Sequence, residues 1–197
     1  MSGPPWTFRS TSCSMFTAHP AAEDAMSLAY LAQDADHQKI EWLHGGIMRV
    51  LLDGDKTNGQ LGMVRTHGGA GAAAPVHVHS HEDEVFLVLE GSGIFWVGDQ
   101  RQQVSAGGVA FLPRGLPHAY RMTSDHFDVI TLCTPAGVER FFRAAGWDLS
   151  KPKPHGWEIT PATLAAAAAQ EGQQILGPPL AEHEPRIPID ILARVTQ

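Results

Sequence analysis

The sequence predicts an all-β barrel with a short helix before it and helices after it. Three observations point there. Between residues 45 and 135, apolar segments of five to seven residues alternate with turns rich in Gly, Asp and Asn. Strong helix formers gather only outside that region, and no internal repeat is visible. In chain order, residues 1–19 are a Ser/Thr/Pro/Gly-rich arm. The run 20–33 (PAAEDAMSLAYLAQ) opens on Pro20 with Glu23 and Asp24 early, which predicts a short helix. Together, residues 1–44 form an N-terminal arm. Strands are predicted at 47–53, 61–67, 75–79, 85–91, 93–98, 108–113, 118–122 and 127–133, with turns such as DGDKTNG (53–59) and VGDQR (97–101) between them. Past Pro135, residues 137–146 (GVERFFRAAG) read as a helix closed by Gly146, and Thr160-Pro161 opens a second helix through 163–170. The tail beyond Gly177-Pro178-Pro179 reads as extended chain on the surface, so 136–197 is a helical extension and tail to the 45–135 barrel.

Composition narrows the function classes. The 197 residues are 43% hydrophobic and 18% charged, the latter below the roughly 25% of an average soluble domain, as expected of a folded globule rather than a disordered chain. Lys+Arg number 14 against 21 Asp+Glu, and the net charge of −7 speaks against nucleic-acid binding. No apolar run approaches the roughly 20 residues of a membrane span, and the N-terminus lacks the apolar core of a signal peptide. Cys13 and Cys133 are too few for a disulfide framework, so the expected compartment is a reducing cytoplasm. Cys133, at the end of an apolar strand, reads as a small buried hydrophobe.

The chemistry lies in the 11 histidines, three of which fall within five residues. His77 and His79 are two apart, so on a strand both imidazoles point to one face. Glu84, across a short polar turn, returns a carboxylate to that face. The turn at Pro113 and Gly115 delivers His118 at the start of another strand. Three imidazoles and one carboxylate make a site for one divalent transition metal (Fe, Mn, Ni, Co, Cu or Zn) that leaves coordination positions open. His81 repeats the His-x-His spacing with His79 but stands too near Glu84, and Glu82 and Asp83 read as exposed turn acids.

These segments resemble the two motifs of the cupin family. Gly71, His77, His79, Glu84 and Gly91 fill G-x5-HxH-x4-E-x6-G, and Gly107, Pro113, Gly115 and His118 fill G-x5-PxGxxH-x3-N. Met122 stands where that pattern has Asn, a position that is not a ligand. The resemblance implies a double-stranded β-helix, or jelly-roll barrel. The runs EDEVFLVLEG, PHAYRM and GVERFF…ILGPPL are similar to quercetin 2,3-dioxygenase-type monocupins. That likeness implies a dioxygenase cleaving a flavonol-like or enolisable aromatic substrate with dioxygen, Glu84 accepting the hydroxyl proton. A redox-neutral isomerase, cyclase or lyase would use the same residues on a polyketide- or sugar-like substrate, and a non-enzymatic small-molecule-binding barrel is the third reading.

Strand parity extends the site. From Glu84, Phe86 and Val88 face inward, and from His118, Tyr120 and Met122 face the metal side. Met63, Phe95 and Phe111 are further candidates for an apolar substrate pocket, with Arg65 and His67 near its mouth. Val85, Leu87 and Leu89 then point outward, and so apolar an outer face predicts a homodimer.

Overall fold

The computed structural model of the protein describes residues 29–195. Two antiparallel sheets face each other. The larger contains β1 (Gln38–Glu41), β2 (Ile47–Leu52), β3 (Gly62–Gly68), β5 (Asp83–Glu90), β8 (Val109–Leu112), β10 (Phe127–Thr134) and β11 (Trp147–Asp148), in the order β11-β1-β2-β3-β10-β5-β8. The smaller contains β4 (Pro75–His79), β6 (Ser92–Val97), β7 (Gln100–Ser105), β9 (His118–Met122) and β12 (Gln173–Pro179), in the order β12-β4-β9-β6-β7. This is the double-stranded β-helix expected from the two motifs. Helices α1 (Gly54–Thr57), α2 (Val138–Ala145), α3 (Pro161–Gln170) and α4 (Ile189–Leu192) lie outside the strands.

The interior follows from strand alternation. Phe86 and Val88 of β5, Phe95 of β6, Ala110 and Leu112 of β8, Met122 of β9 and Val129 of β10 pack between the sheets. Where the larger sheet runs past the smaller one, its inner face (Met48, Val50, Val64) is closed by Trp42 and by Phe142 of α2. The β5–β6 connection, which passes from the larger sheet to the smaller, needs glycine at its corner: Gly91 has φ +78°, and a Cβ there would overlap Ser124 Oγ and the His126 carbonyl.

Two segments differ from the sequence reading. The strand β7 replaces part of the turn placed at 97–101; its side chains QRQQVS are polar and mostly exposed, so the edge of the smaller sheet carries no apolar alternation to reveal it. The C-terminal tail starts extended and is bound to the barrel surface, as expected, but it is also part of a sheet and of the core. It adds β12 to the smaller sheet and then lays Leu176, Leu180, Ile187 and Ile191 over that sheet's outer face, against Val76, Val78, Ile94 and Trp96. Gly177 and the prolines hid this strand, and they are tolerated because β12 is an edge with register shifts at 175–179. The helix expected at 20–33 lies mostly outside the described residues; its last residues, 29–33, are not helical, and Leu31 is 97% exposed.

The outer face of the larger sheet is apolar in register. Met63, Leu132, Val85 and Phe111 form one cross-strand row, and Ile130, Leu87 and Val109 line up in the next. Leu89, Val109 and Phe111 are 41%, 58% and 57% exposed. This agrees with the outward parity of Val85, Leu87 and Leu89.

Candidate metal centre

The four residues singled out by spacing converge. Strand pairing sets His77 of β4 opposite His118 of β9, while the turn before β9 is tied to β4 by Gly115 N–H donating to the His79 carbonyl at 2.8 Å. One ligand atom from each of His77, His79, Glu84 and His118 lies within 4.8 Å of the other three. His118 Nε2 is 3.2 Å from His77 Nε2 and 3.4 Å from Glu84 Oε2, and His79 Nε2 is 3.6 Å from the same oxygen.

The outer nitrogens fix the tautomers. His77 Nδ1 is 2.8 Å from the Pro75 carbonyl and His118 Nδ1 is 2.9 Å from the Leu116 carbonyl. A carbonyl only accepts, so both Nδ1 atoms carry a proton, and it is the Nε2 atoms that face the centre, as lone pairs whenever the rings are neutral. His79 Nδ1 donates to Glu82 Oε2 at 3.3 Å, which aims its Nε2 inward as well. Four potential donor atoms therefore face one point, where either protons on the imidazoles or a cation among them balances the carboxylate. Imidazoles held by carbonyl and carboxylate acceptors are the usual second layer of a metal site, and the donor set fits a divalent transition metal.

Electrostatics agree. Burial works to raise the Glu84 pKa, but His79 and His118 beside it hold it at about 2, so the group is a carboxylate at neutral pH. Burial, with His118 and His79 adding to it, keeps His77 neutral, its pKa at about 3. Burial also opposes charge on His79, yet Glu84 and Glu82 outweigh it and raise that pKa. Cys133, the register partner of Glu84, donates its thiol to Glu84 Oε1 at 3.5 Å; burial and that carboxylate keep it protonated. It is buried as expected, but it also holds one oxygen of the central carboxylate.

A cavity of about 80 Å³ opens beside this cluster. Its wall includes Phe86, Tyr120 and Met122, as parity predicted, together with Thr66, Phe127, Val129 and Thr131. Trp42, Phe141 and Phe142 contribute an aromatic cluster with ring centroids 4.9–5.6 Å apart. Burial and the Glu84 charge raise the Tyr120 pKa, so its hydroxyl stays protonated.

Three of the other pocket candidates lie elsewhere. Met63 is on the opposite face of β3 from Val64, which is fully buried, and from Thr66, which lines the cavity. Phe111 is 57% exposed on the outer face of β8. Phe95 is core packing behind Phe86 and Tyr120, at 5.3 and 6.0 Å, rather than cavity wall. In each case an apolar residue on a strand was assigned to the wrong side or depth. Arg65 and His67 share the outer face with Met63, where both contact Asp128. Glu82 is corrected too: it is 2% exposed, the acceptor for His79, and not a turn acid in solvent. His81 is exposed, as expected of a loop residue outside the cluster.

Comparison with known proteins is consistent with this geometry. Residues 64–135 match the family model described as a cupin domain. Over 126 residues the chain is 29% identical to quercetin 2,3-dioxygenase of Bacillus subtilis, covering 62% of this chain and 37% of that protein. An uncharacterized protein of Aquifex aeolicus is 32% identical over 60 residues, 30% of this chain and 50% of that one. The chain thus spans half or less of these curated relatives. Among solved structures, KdgF from Halomonas sp. superposes with a TM-score of 0.49 at 16% identity, covering 56% of this chain and 98% of that one.

Proposed function

We propose that this chain, a cupin over residues 64–135 that resembles quercetin 2,3-dioxygenase, is a metal-dependent dioxygenase for an enolisable, flavonol-like substrate. The observation that carries the reading is the convergence of three imidazole Nε2 atoms and the Glu84 carboxylate, all able to ligate a metal, beside a mainly apolar cavity. The alignment with the Bacillus subtilis enzyme supports oxygen chemistry in particular. A divalent transition metal held by His77, His79, Glu84 and His118 supplies a Lewis acid and, if redox-active, access to dioxygen. The remaining chemistry belongs to the chain. Glu84, ionised at neutral pH, accepts the proton of the substrate hydroxyl. Phe86, Met122, Phe127 and Val129 keep bulk water from the reacting atoms.

The cavity volume bears on substrate size. About 80 Å³ is well under the roughly 300 Å³ at which drug-sized ligand pockets begin, so a flavonol enters only if the Trp42–Phe141–Phe142 wall moves aside. That observation favours, as the second reading, a redox-neutral isomerase, cyclase or lyase acting through Glu84 on a smaller enolisable molecule. An oxygen electrode separates the two with 3-hydroxyflavone and with small hydroxy-enones. The dioxygenase predicts stoichiometric oxygen uptake that Glu84→Gln lowers at least 100-fold; substrate turnover without oxygen uptake selects the second reading.

We also propose that two copies pair through the outer face of the larger sheet. The two cross-strand rows from Met63 to Phe111 and from Ile130 to Val109 present a continuous apolar surface. Two charged pairs near it are made within the chain, Arg114 with Asp83 and Arg65 with Asp128. A two-fold axis through such a self-similar face makes an isologous contact.

A further inference from the structure

We infer that Gln173 is the hydrogen-bond donor that reads a substrate carbonyl or enolate oxygen in the cavity. This deepens the proposed function and rests on it for the location of the substrate, though not for the reaction. Gln173 begins β12, in register with the ligand His79, and its side chain lines the cavity that also contains His77, His79 and Glu84. The residue is 8% exposed, yet its side-chain nitrogen has no hydrogen-bond partner. Among the described residues, the buried nitrogens His37 Nδ1 and Arg49 Nε also have no hydrogen-bond partner, but Arg49 Nε lies 3.0 Å from Asp34 Oδ1 in an ion pair and neither residue lines this cavity.

Leaving a buried amide donor without an acceptor is destabilising, and folded proteins rarely tolerate it. The chain nevertheless fixes this one firmly. Gly172, at φ +69°, turns the end of α3 into β12, and its carbonyl accepts from Ser80 N–H at 3.0 Å and Ser80 Oγ at 2.7 Å. A Cβ at Gly172 would approach His81 and Ser80 to 2.8 Å, so strand and loop are in close contact where Gln173 starts. The strand carrying Gln173 is thus anchored on the same β4 that carries His77 and His79, and an unmade bond remains beside the metal ligands. The ligand it suits has an oxygen acceptor close to the group that Glu84 deprotonates. A small α-hydroxy-enone has that pair of oxygens, and an aromatic lacking the carbonyl does not.

The test uses the metal-loaded, full-length protein under nitrogen, with maltol, a small 3-hydroxy-4-pyranone, as the probe. Affinity comes from calorimetric titration, metal content is checked by elemental mass spectrometry afterwards, and thermal unfolding is recorded without probe. Gln173→Leu and Gln173→Met are compared with wild type. The expected result is a loss of maltol affinity of about 3- to 10-fold, with metal content unchanged and a melting temperature equal to or above that of wild type. A merely structural glutamine would instead lower the melting temperature and leave maltol affinity unchanged, which overturns the inference. Unchanged affinity with unchanged stability, the result if ordered water satisfies the amide, overturns it too, as does the absence of saturable maltol binding by wild type. Because binding is measured without oxygen, failure of the dioxygenase reading would show only in the electrode experiment.

Discussion

At the scale of single residues, Glu82 shows how a site depends on side chains outside the converging quartet. Its carboxylate accepts the His79 Nδ1 proton at 3.3 Å from a position 2% exposed, so the orientation of one member of the quartet rests on it. Glu82→Ala is expected to weaken metal affinity about 10- to 100-fold in chelator competition, with Glu82→Gln losing less because its amide oxygen still accepts; equal affinity in all three proteins would remove the role. The convergence of His77, His79, Glu84 and His118 was legible in the sequence because a two-residue spacing on a strand fixes a shared face and the Pro113–Gly115 turn announces His118. Glu82 was not, since an acid in a short polar turn reads as solvated until the fold shows what closes over it. Gln173 was still less legible: its position beside His79 arises from strand pairing across more than ninety residues of sequence.

At the scale of elements, the small helix α1 and the longer α2 are joined through Asp53. It caps α1 by accepting from Lys56 N–H at 3.2 Å, pairs with the Lys56 ammonium at 3.0 Å, and accepts from Arg143 Nη2 at 2.6 Å. Burial works against its charge, but the Arg143 and Lys56 bonds prevail and hold the pKa at about 2, below the 3.8 of a free side chain. A depressed carboxylate pKa stabilises the fold above the unfolded value and loses that stabilisation as pH falls toward the folded one. Asp53→Asn is therefore expected to cost about 2 kcal/mol at pH 7 in urea unfolding, and the gap to wild type should close between pH 4 and pH 2. A gap independent of pH would mean that packing, not charge, carries the effect. Apolar alternation made the barrel strands legible. The edge strands β7 and β12 were hidden by glutamines in one and by Gly-Pro-Pro in the other, because an edge is excused from the patterns that a central strand must obey.

At the scale of the whole molecule, the protein is a two-sheet barrel with its two outer faces treated differently. The smaller sheet is covered by the chain's own C-terminal segment, and the larger sheet is left apolar over β3, β10, β5 and β8. If a second copy covers that face, sedimentation will give about twice the 21.3 kDa of one chain, and Phe111→Lys, at an already exposed position, will shift the mass to one chain while the far-UV circular dichroism of the folded chain stays unchanged, the lost pairing showing as a lower melting temperature. A wild-type monomer at high micromolar concentration would contradict the pairing. In the barrel interior, three imidazoles and a carboxylate converge so that one ligand atom from each lies within 4.8 Å of the others, an arrangement able to hold a divalent cation. Elemental mass spectrometry of the untagged protein, purified without added metal and again after reconstitution, tests it directly. Near one Fe, Mn, Ni, Co, Cu or Zn per chain is the predicted result, falling away in His118→Ala while the barrel stays folded; less than about a tenth of a metal per chain, persisting after reconstitution, would contradict the account.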